Sequence, residues 1–139
     1  MEFKQDNKIV KLCSTGMELE GQGLLLEAAS LFNKAWNEAG DDFEKFTAAH
    51  YVARHQINIS GKLEWDETAL RHALLLGEGF EEVLPSLYLN IAKCHEDLKD
   101  FENAKKNYDA ASSFQNFLPD NEYGKMIRTG IANGLNRIE

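Results

Sequence analysis

The chain has 139 residues, 15 Lys and Arg against 23 Asp and Glu, a formal net charge of -8 and two cysteines. That length supports one domain with its own core. The composition, 43% hydrophobic and 27% charged, reads as a folded soluble chain, and the acidic balance argues against a surface built to grip nucleic-acid phosphates or anionic lipid. Cys13 and Cys94 form no CxxC and no disulfide-dense framework, so a reducing compartment is expected. The N-terminal stretch lacks a signal-peptide core and nowhere do 18 apolar residues run together, which leaves a cytoplasmic location as the expectation.

In chain order, Gly21-Gln22-Gly23, Gly40, Gly61, Gly77-Glu78-Gly79 and Pro119 separate stretches of helix length. Within them apolar residues recur three and four apart, as on one helix face: Leu12, Leu19 and Leu26, then Phe32, Ala35 and Trp36, later Tyr88, Ile91, Ala92, His95 and Leu98. No stretch alternates like a strand for more than a few residues. The spacing predicts an all-α fold of seven helices, over 7–21, 24–38, 42–58, 65–77, 84–98, 100–115 and 120–137. Asp41 with Glu44 has capping-box spacing. Asp66, Asp100 and Asp120 stand where short acids cap or begin further helices. Pro85 suits a first turn, having no N–H to lose.

The helices repeat in pairs. In the first helix of each pair, Leu12, Thr15, Gly16 and Leu19 correspond to Phe46, Ala49, His50 and Ala53, then to Tyr88, Ile91, Ala92 and His95. In the second, Ala28, Phe32 and Ala35 correspond to Ala69, Ala73 and Leu76, then to Ala104, Tyr108 and Ala111. Small residues let paired helices approach and larger ones fill the gaps between layers. Leu12 and Phe46 lie 34 positions apart. Over residues 7–118 the pattern resembles the tetratricopeptide repeat family. The resemblance implies antiparallel helix pairs stacked in a right-handed superhelix: repeats over about 7–40, 42–78 and 84–118, a capping helix over 120–138, and a single domain over 1–139. The second repeat departs from the pattern. His50 stands where a small residue is usual, although a register one residue earlier would put Ala49 at the tight contact. Ala53 and Ala69 are 16 residues apart where the other repeats use nine, which predicts a loop lengthened by seven residues around 58–64. Pro119 falls about three residues later than the family's closing proline.

Beyond the repeats, Tyr123, Ile127, Ile131, Leu135 and Ile138 form one apolar stripe, with Gly130 and Gly134 four apart on the same helix. This is expected to cap the array, the glycines allowing close packing. All of the net negative charge lies in residues 1–119, because 120–139 balance three basic against three acidic residues.

Catalytic and metal chemistry find little support. His95-Glu96 begins like a zinc-protease helix, but Leu98 and Lys99 stand where the second histidine is needed. His50 and His55 project from different helix faces, as do Cys94 and His95. There is no GxSxG, and Gly21-x-Gly23 and Gly77-x-Gly79 follow no strand. The expectation is a non-enzyme with no cofactor and no metal.

A surface remains. In the family that the chain resembles, the first helices line a concave groove that takes protein or peptide segments. Carried onto this chain, that face holds Cys13 and Met17 from the first repeat, Thr47, Tyr51, Arg54 and His55 from the second, and Leu89, Asn90, Lys93 and Glu96 from the third. Met17, Thr47, Tyr51, Arg54, His55, Asn90 and Lys93 are the candidate binding residues. Tyr and Arg dominate interface energetics, and Arg54 with Lys93 offers a carboxylate two cations. The family's chaperone-binding carboxylate clamp is not expected, since Cys13, Met17 and Ala48 replace its Lys and Asn residues. The expected role is a non-catalytic adaptor for a protein or peptide segment, with no nucleic acid and no membrane. The alternative is a homo-oligomer joined through Phe114, Phe117, Leu118 and the 120–138 stripe.

Overall fold

A computed structural model describes residues 6–139, which form an all-helical domain. Its elements are α1 (Lys8–Gly21), α2 (Leu25–Glu38), α3 (Asp42–Ala53), α4 (Ile59–Leu74), α5 (Leu84–Asp97), α6 (Phe101–Ser113) and α7 (Glu122–Ile138), with single 3₁₀ turns at Glu81–Val83 and Gln115–Phe117. The seven expected helices are all present.

Short polar side chains start most of them. Asn7 accepts from the backbone of Ile9 and Val10 at 2.8 and 3.1 Å, and its amide donates to Glu44 at 3.0 Å, which ties the start of α1 to α3. Asp41 caps α3 through Glu44 N at 2.8 Å, while the Glu44 carboxylate accepts from Gly40 N at 2.9 Å. That closes the reciprocal box with a one-residue offset. These donors, first of all the Gly40 N–H, hold the Glu44 carboxyl below its ordinary pKa. Asp100 caps α6 as expected. Asn121, not Asp120, caps α7, and it accepts from Gly124 N at 2.9 Å. At the other ends, Gly23 and Gly77 turn the chain with φ of 79° and 71°, a conformation that side chains resist.

The second repeat corrects the sequence expectation. α3 ends at Ala53, not near residue 58, and α4 starts at Ile59, not near 65. The extra residues of this repeat are therefore not a long loop; they add turns to the front of α4. Asn58 caps that helix through Gly61 N at 2.7 Å. Gly61 sits in the first turn, where a Cβ would come 3.2 Å from Asn58 Oδ1 and Gln56 Oε1 and press on both side chains. The lengthened α4 places Asp66 mid-helix and fully buried rather than at a cap.

Helices pack as successive hairpins, α1 with α2, α3 with α4 and α5 with α6, and each hairpin leans on the next through α2–α3, α4–α5 and α6–α7 contacts. The core follows in layers. Ile9, Cys13, Phe32 and Val52 fill the first, Phe46, Ala69, Leu84 and Leu87 the second, and Ala92, Ala104, Tyr108, Ile127 and Ile131 the third. The small residues of the repeat pattern, Ala28, Ala35, Ala49, Ala69, Ala104 and Ala111, are all fully buried. Trp36 meets Trp65 edge-on at 5.0 Å, joining α2 to the lengthened α4.

α7 caps the array. Ile127 and Ile131 are buried beside Ala111 and Leu118, and Phe114 stacks on Tyr88 with 6.0 Å between ring centroids. Of the groups named for self-association, Leu118, Ile127 and Ile131 are buried within the chain, whereas Phe117 and Tyr123 are 51% and 44% exposed. Arg137 forks onto Glu96 at 2.8 and 3.1 Å, and the Tyr108 hydroxyl donates to Glu96 at 2.7 Å, so α5, α6 and α7 share one polar clasp. Gly134 lies so close to Tyr108 that a Cβ would overlap its ring. The clasp holds Tyr108 in place, so the ring has no free end to swing away. Gly134→Ala should therefore lower stability by about 1–2 kcal/mol in urea unfolding, because overpacking in the upper part of its usual range, about 2–3 kcal/mol, exceeds the helix-propensity gain of about 1 kcal/mol. An unchanged midpoint would refute this close seating of α7.

Candidate functional site

The first helices do not pack evenly. α1 lies against α3 and α5 against α7, whereas α3 and α5 make no comparable contact. A cleft of about 380 Å3 occupies the gap, within the range of small ligand sites. Phe46, Thr47, His50 and Tyr51 from α3 form one side. Glu82, Val83, Ser86 and Leu87 at the start of α5 form the other, and Pro119 and Tyr123 close the far wall. Phe46 and Leu87 are 6% and 1% exposed and belong to the second core layer, so the floor is continuous with the core.

The polar groups of the cleft are unevenly supplied. The Thr47 hydroxyl donates to the Phe43 carbonyl at 2.8 Å, and the Ser86 hydroxyl donates to the Val83 carbonyl at 3.2 Å. Both hydroxyl protons are thereby committed, and acceptor lone pairs are left over. His50 Nδ1 is sealed from water and has no hydrogen-bond partner, the one such side-chain atom among the described residues. Burial, helped by the positive charges of Arg54 and Lys62, pushes the His50 pKa down to about 4. The imidazole is therefore neutral at physiological pH. Burial also raises the Tyr51 pKa, so that residue stays a phenol.

Of the candidate residues, Thr47 and Tyr51 line the cleft. Tyr51, Arg54 and His55 gather beside it. Tyr51 stacks on Phe32 at 5.1 Å, the Arg54 guanidinium sits 5.6 Å from the Tyr51 ring centre, and Glu20 of α1 accepts from Arg54 at 3.0 Å and faces His55 at 2.7 Å. Arg54 thus already holds a carboxylate of its own chain. Lys93 pairs with Asp97 at 2.5 Å, one turn along α5. Met17 is 44% exposed on α1 and Asn90 is half-buried on α5. Neither Met17, Asn90 nor Lys93 lines the cleft.

Three residues assigned to the groove face turn elsewhere. Cys13 is buried in the first core layer, Leu89 packs under Gly130 of α7, and Glu96 is held by Tyr108 and Arg137. α5 is covered by α4, α6 and α7, so a single helix wheel assigned it one open face too many. The other cleft residues, His50, Glu82, Ser86 and Tyr123 among them, were not candidates from the sequence. The one signal in the sequence was His50 itself, a ring in a place that the repeat pattern gives to a small residue.

A second buried polar cluster lies between α4 and α5. Asp66 accepts from Lys62 Nζ at 2.6 Å and from the Cys94 thiol at 3.5 Å. Burial raises the Asp66 pKa, partly countered by Lys62, and it pushes the Cys94 thiol up to about 11. Cys13 is raised to about 12 by burial alone. Both cysteines are free and stay protonated. No three His, Cys, Asp or Glu side chains among the described residues are grouped to hold a metal ion. No helix among them is long and apolar enough to cross a membrane.

No known protein family, curated protein or solved structure matches this chain.

Proposed function

We propose that the protein is a tetratricopeptide-like adaptor that binds a partner's protein or peptide segment along the α1, α3 and α5 face, without catalysis. The observation that carries this reading is the cleft between α3 and α5, which opens where first helices of successive pairs would line a groove. Its largely apolar lining with a few polar groups suits recognition of a side chain. The chemistry favours binding over turnover. The hydroxyls of Thr47 and Ser86 are bonded to backbone carbonyls, and the two thiols are buried and protonated, so none of these four groups is activated as a nucleophile. A cytoplasmic setting goes with two unpaired cysteines.

The test leaves the Arg54–Glu20 and clasp contacts intact. Ser86→Phe places a ring in the cleft, and Lys105→Ala on α6 serves as the control. Immobilised wild-type and control protein should capture the same partners from native extract, with recovery at least about tenfold lower for Ser86→Phe at unchanged helicity, the scale on which a lost anchor acts. Equal recovery by all three proteins would remove the groove assignment.

A further inference from the structure

The two helices of each pair meet at a tip, and the three tips stand along one edge of the array. Glu20 at the end of α1 meets Arg54 and His55 just past α3 at 3.0 and 2.7 Å, and Lys62 near the start of α4 reaches Cys94 near the end of α5 at 3.8 Å. Each tip turns large apolar side chains to solvent: Leu25 and Leu26, then Ile57 and Ile59, then Leu98 and Phe101. Leu26 and Ile57 are 85% and 102% exposed, so the core gains nothing from them. The first tip even gives up a cap, because Leu24 stands at the N-cap of α2 and makes no side-chain cap bond, where Ser, Thr, Asn or Asp would stabilise the helix. Single exposed apolar residues are ordinary, but a pair at every tip of one edge is a patch of the kind that marks a contact site. The rim of the edge is acidic. Residues 18–27, 54–64 and 96–102, the tips and their adjoining helix turns, hold eight Asp and Glu against three Lys and Arg. Among the described residues Glu18, Glu27, Glu64 and Glu102 are exposed and form no ion pair, and of the three cations only Lys99 is likewise unpaired.

We infer that this edge is a second docking surface, and that its occupant is an amphipathic α-helix of a partner protein with an aliphatic face and a basic flank. Spacing favours the helix. Packed helices stand about 8–10 Å apart, so the tips repeat at roughly that interval. Residues seven apart on an α-helix share a face and lie about 10.5 Å apart, whereas a strand returns to one face about every 6.6 Å. A helix laid along the edge therefore sets successive apolar turns over successive tips, the mode in which apolar anchors read an amphipathic helix. Charge decides the flank. A second copy would bring the same acidic rim and anionic lipid would bring phosphates, so both meet like charge, while a basic helix meets opposite charge. The edge is separate from the cleft between α3 and α5, and this assignment does not rest on the groove reading.

The experiment titrates isotope-labelled full-length protein at pH 7 with a capped three-heptad peptide of Leu, Lys and Ala, followed by amide NMR. Leu fills the two seam positions of each heptad and Lys the flanks, and a scrambled peptide of the same composition is the control. The seam peptide should bind saturably, gain helicity in circular dichroism, shift the amides of Leu26, Ile57 and Phe101, and bind at least about tenfold more tightly than the scramble. Leu26→Ser/Ile57→Ser removes two solvent-facing anchors at unchanged helicity and should weaken the seam peptide about tenfold or more. Glu27→Gln/Glu64→Gln should weaken it too, and should flatten its salt dependence between about 50 and about 500 mM. Ser86→Phe, which fills the cleft, should bind the peptide as wild type does. Equal affinities of the two peptides, no saturable binding by about 1 mM, full binding by the Ser double variant, or shifts confined to the cleft would overturn the assignment. Full binding and an unchanged salt dependence in the Gln double variant would overturn the basic flank. A dimer dispersed by Leu26→Ser/Ile57→Ser, or retention on phosphatidylcholine vesicles lost in it, would give the edge to a second copy or to lipid and overturn the helix.

Discussion

Lys62→Met is expected to cost about 2–4 kcal/mol at neutral pH, somewhat below the penalty for breaking a fully buried ion pair because the Lys62 side chain is 36% exposed. Asp66 is 1% exposed in the middle of α4, and its oxygen accepts from Lys62 at 2.6 Å and from the Cys94 thiol of α5 at 3.5 Å. With Met at 62 the carboxylate keeps only the weak thiol donor, and burial then acts on it with no cation to counter it. Its cheapest escape is to take up a proton. The folded pKa of Asp66 lies above its ordinary 3.8 even with Lys62 present, and removing Lys62 raises it further. The sign follows directly. Where the folded protein binds a proton that the unfolded chain does not, stability falls as pH rises. The penalty in Lys62→Met should thus be greatest at pH 7–8 and should shrink as pH drops towards 5. Urea unfolding followed by circular dichroism across that range measures it. The double variant Lys62→Met/Asp66→Leu should return to within about 1–2 kcal/mol of wild type, since an apolar replacement of the whole pair is often near neutral. A single variant as stable as wild type at pH 7.5 would show that the pair contributes nothing.

That cluster also shows where the sequence was legible and where it was not. α1, α2, α5 and α6 stand within two residues of their expected bounds, because each carries an uninterrupted apolar stripe between a cap or proline and a turn. α4 does not, because Gly61 reads as a break. In three dimensions it sits close under the Asn58 cap, and the helix runs through it. With α4 expected to begin six residues too late, Asp66 became a plausible cap, and its burial between two helices went unread. Most of the α7 stripe was legible, from the buried Ile127 and Ile131 to the close approach of Gly134, because one-sided periodicity is what a terminal helix needs; Tyr123 instead stays exposed at the cleft. The cleft was not. It depends on how far α3 and α5 diverge, a relation between helices that periodicity along either one does not encode.

The second repeat also exchanges volumes. In the register of the pattern, Phe32 and Tyr108 of the outer repeats face the small residues Gly16 and Ala92, but the middle repeat has Ala73 and His50. A histidine is thereby placed where the fold expects an apolar residue, and that exchange has a consequence in pH. Its pKa is pushed down to about 4 by burial first, then by Arg54 and Lys62, while the Tyr51 ring packs edge-on at 5.2 Å and the Glu82 carboxylate lines the same cleft. The unfolded chain titrates His50 near the ordinary 6.5. Between these values the unfolded state holds a proton that the folded state refuses, so stability rises with pH through this window and is lost as pH falls from about 6.5 to about 4. A depression of this size corresponds to on the order of 3 kcal/mol at most. The acids Glu44 and Glu96, lowered by their own donors, lose their contribution only below their ordinary 4.5, and Asp66, raised by burial, works in the opposite direction. The difference between wild type and His50→Phe removes these shared terms. Wild type should lose about 2–3 kcal/mol more than His50→Phe between pH 7 and pH 4.5, and the His50 ring should titrate near pH 4 by NMR. Parallel stability curves, or a His50 midpoint near 6.5, would mean that water reaches Nδ1 in the folded protein and that burial does not hold the ring neutral.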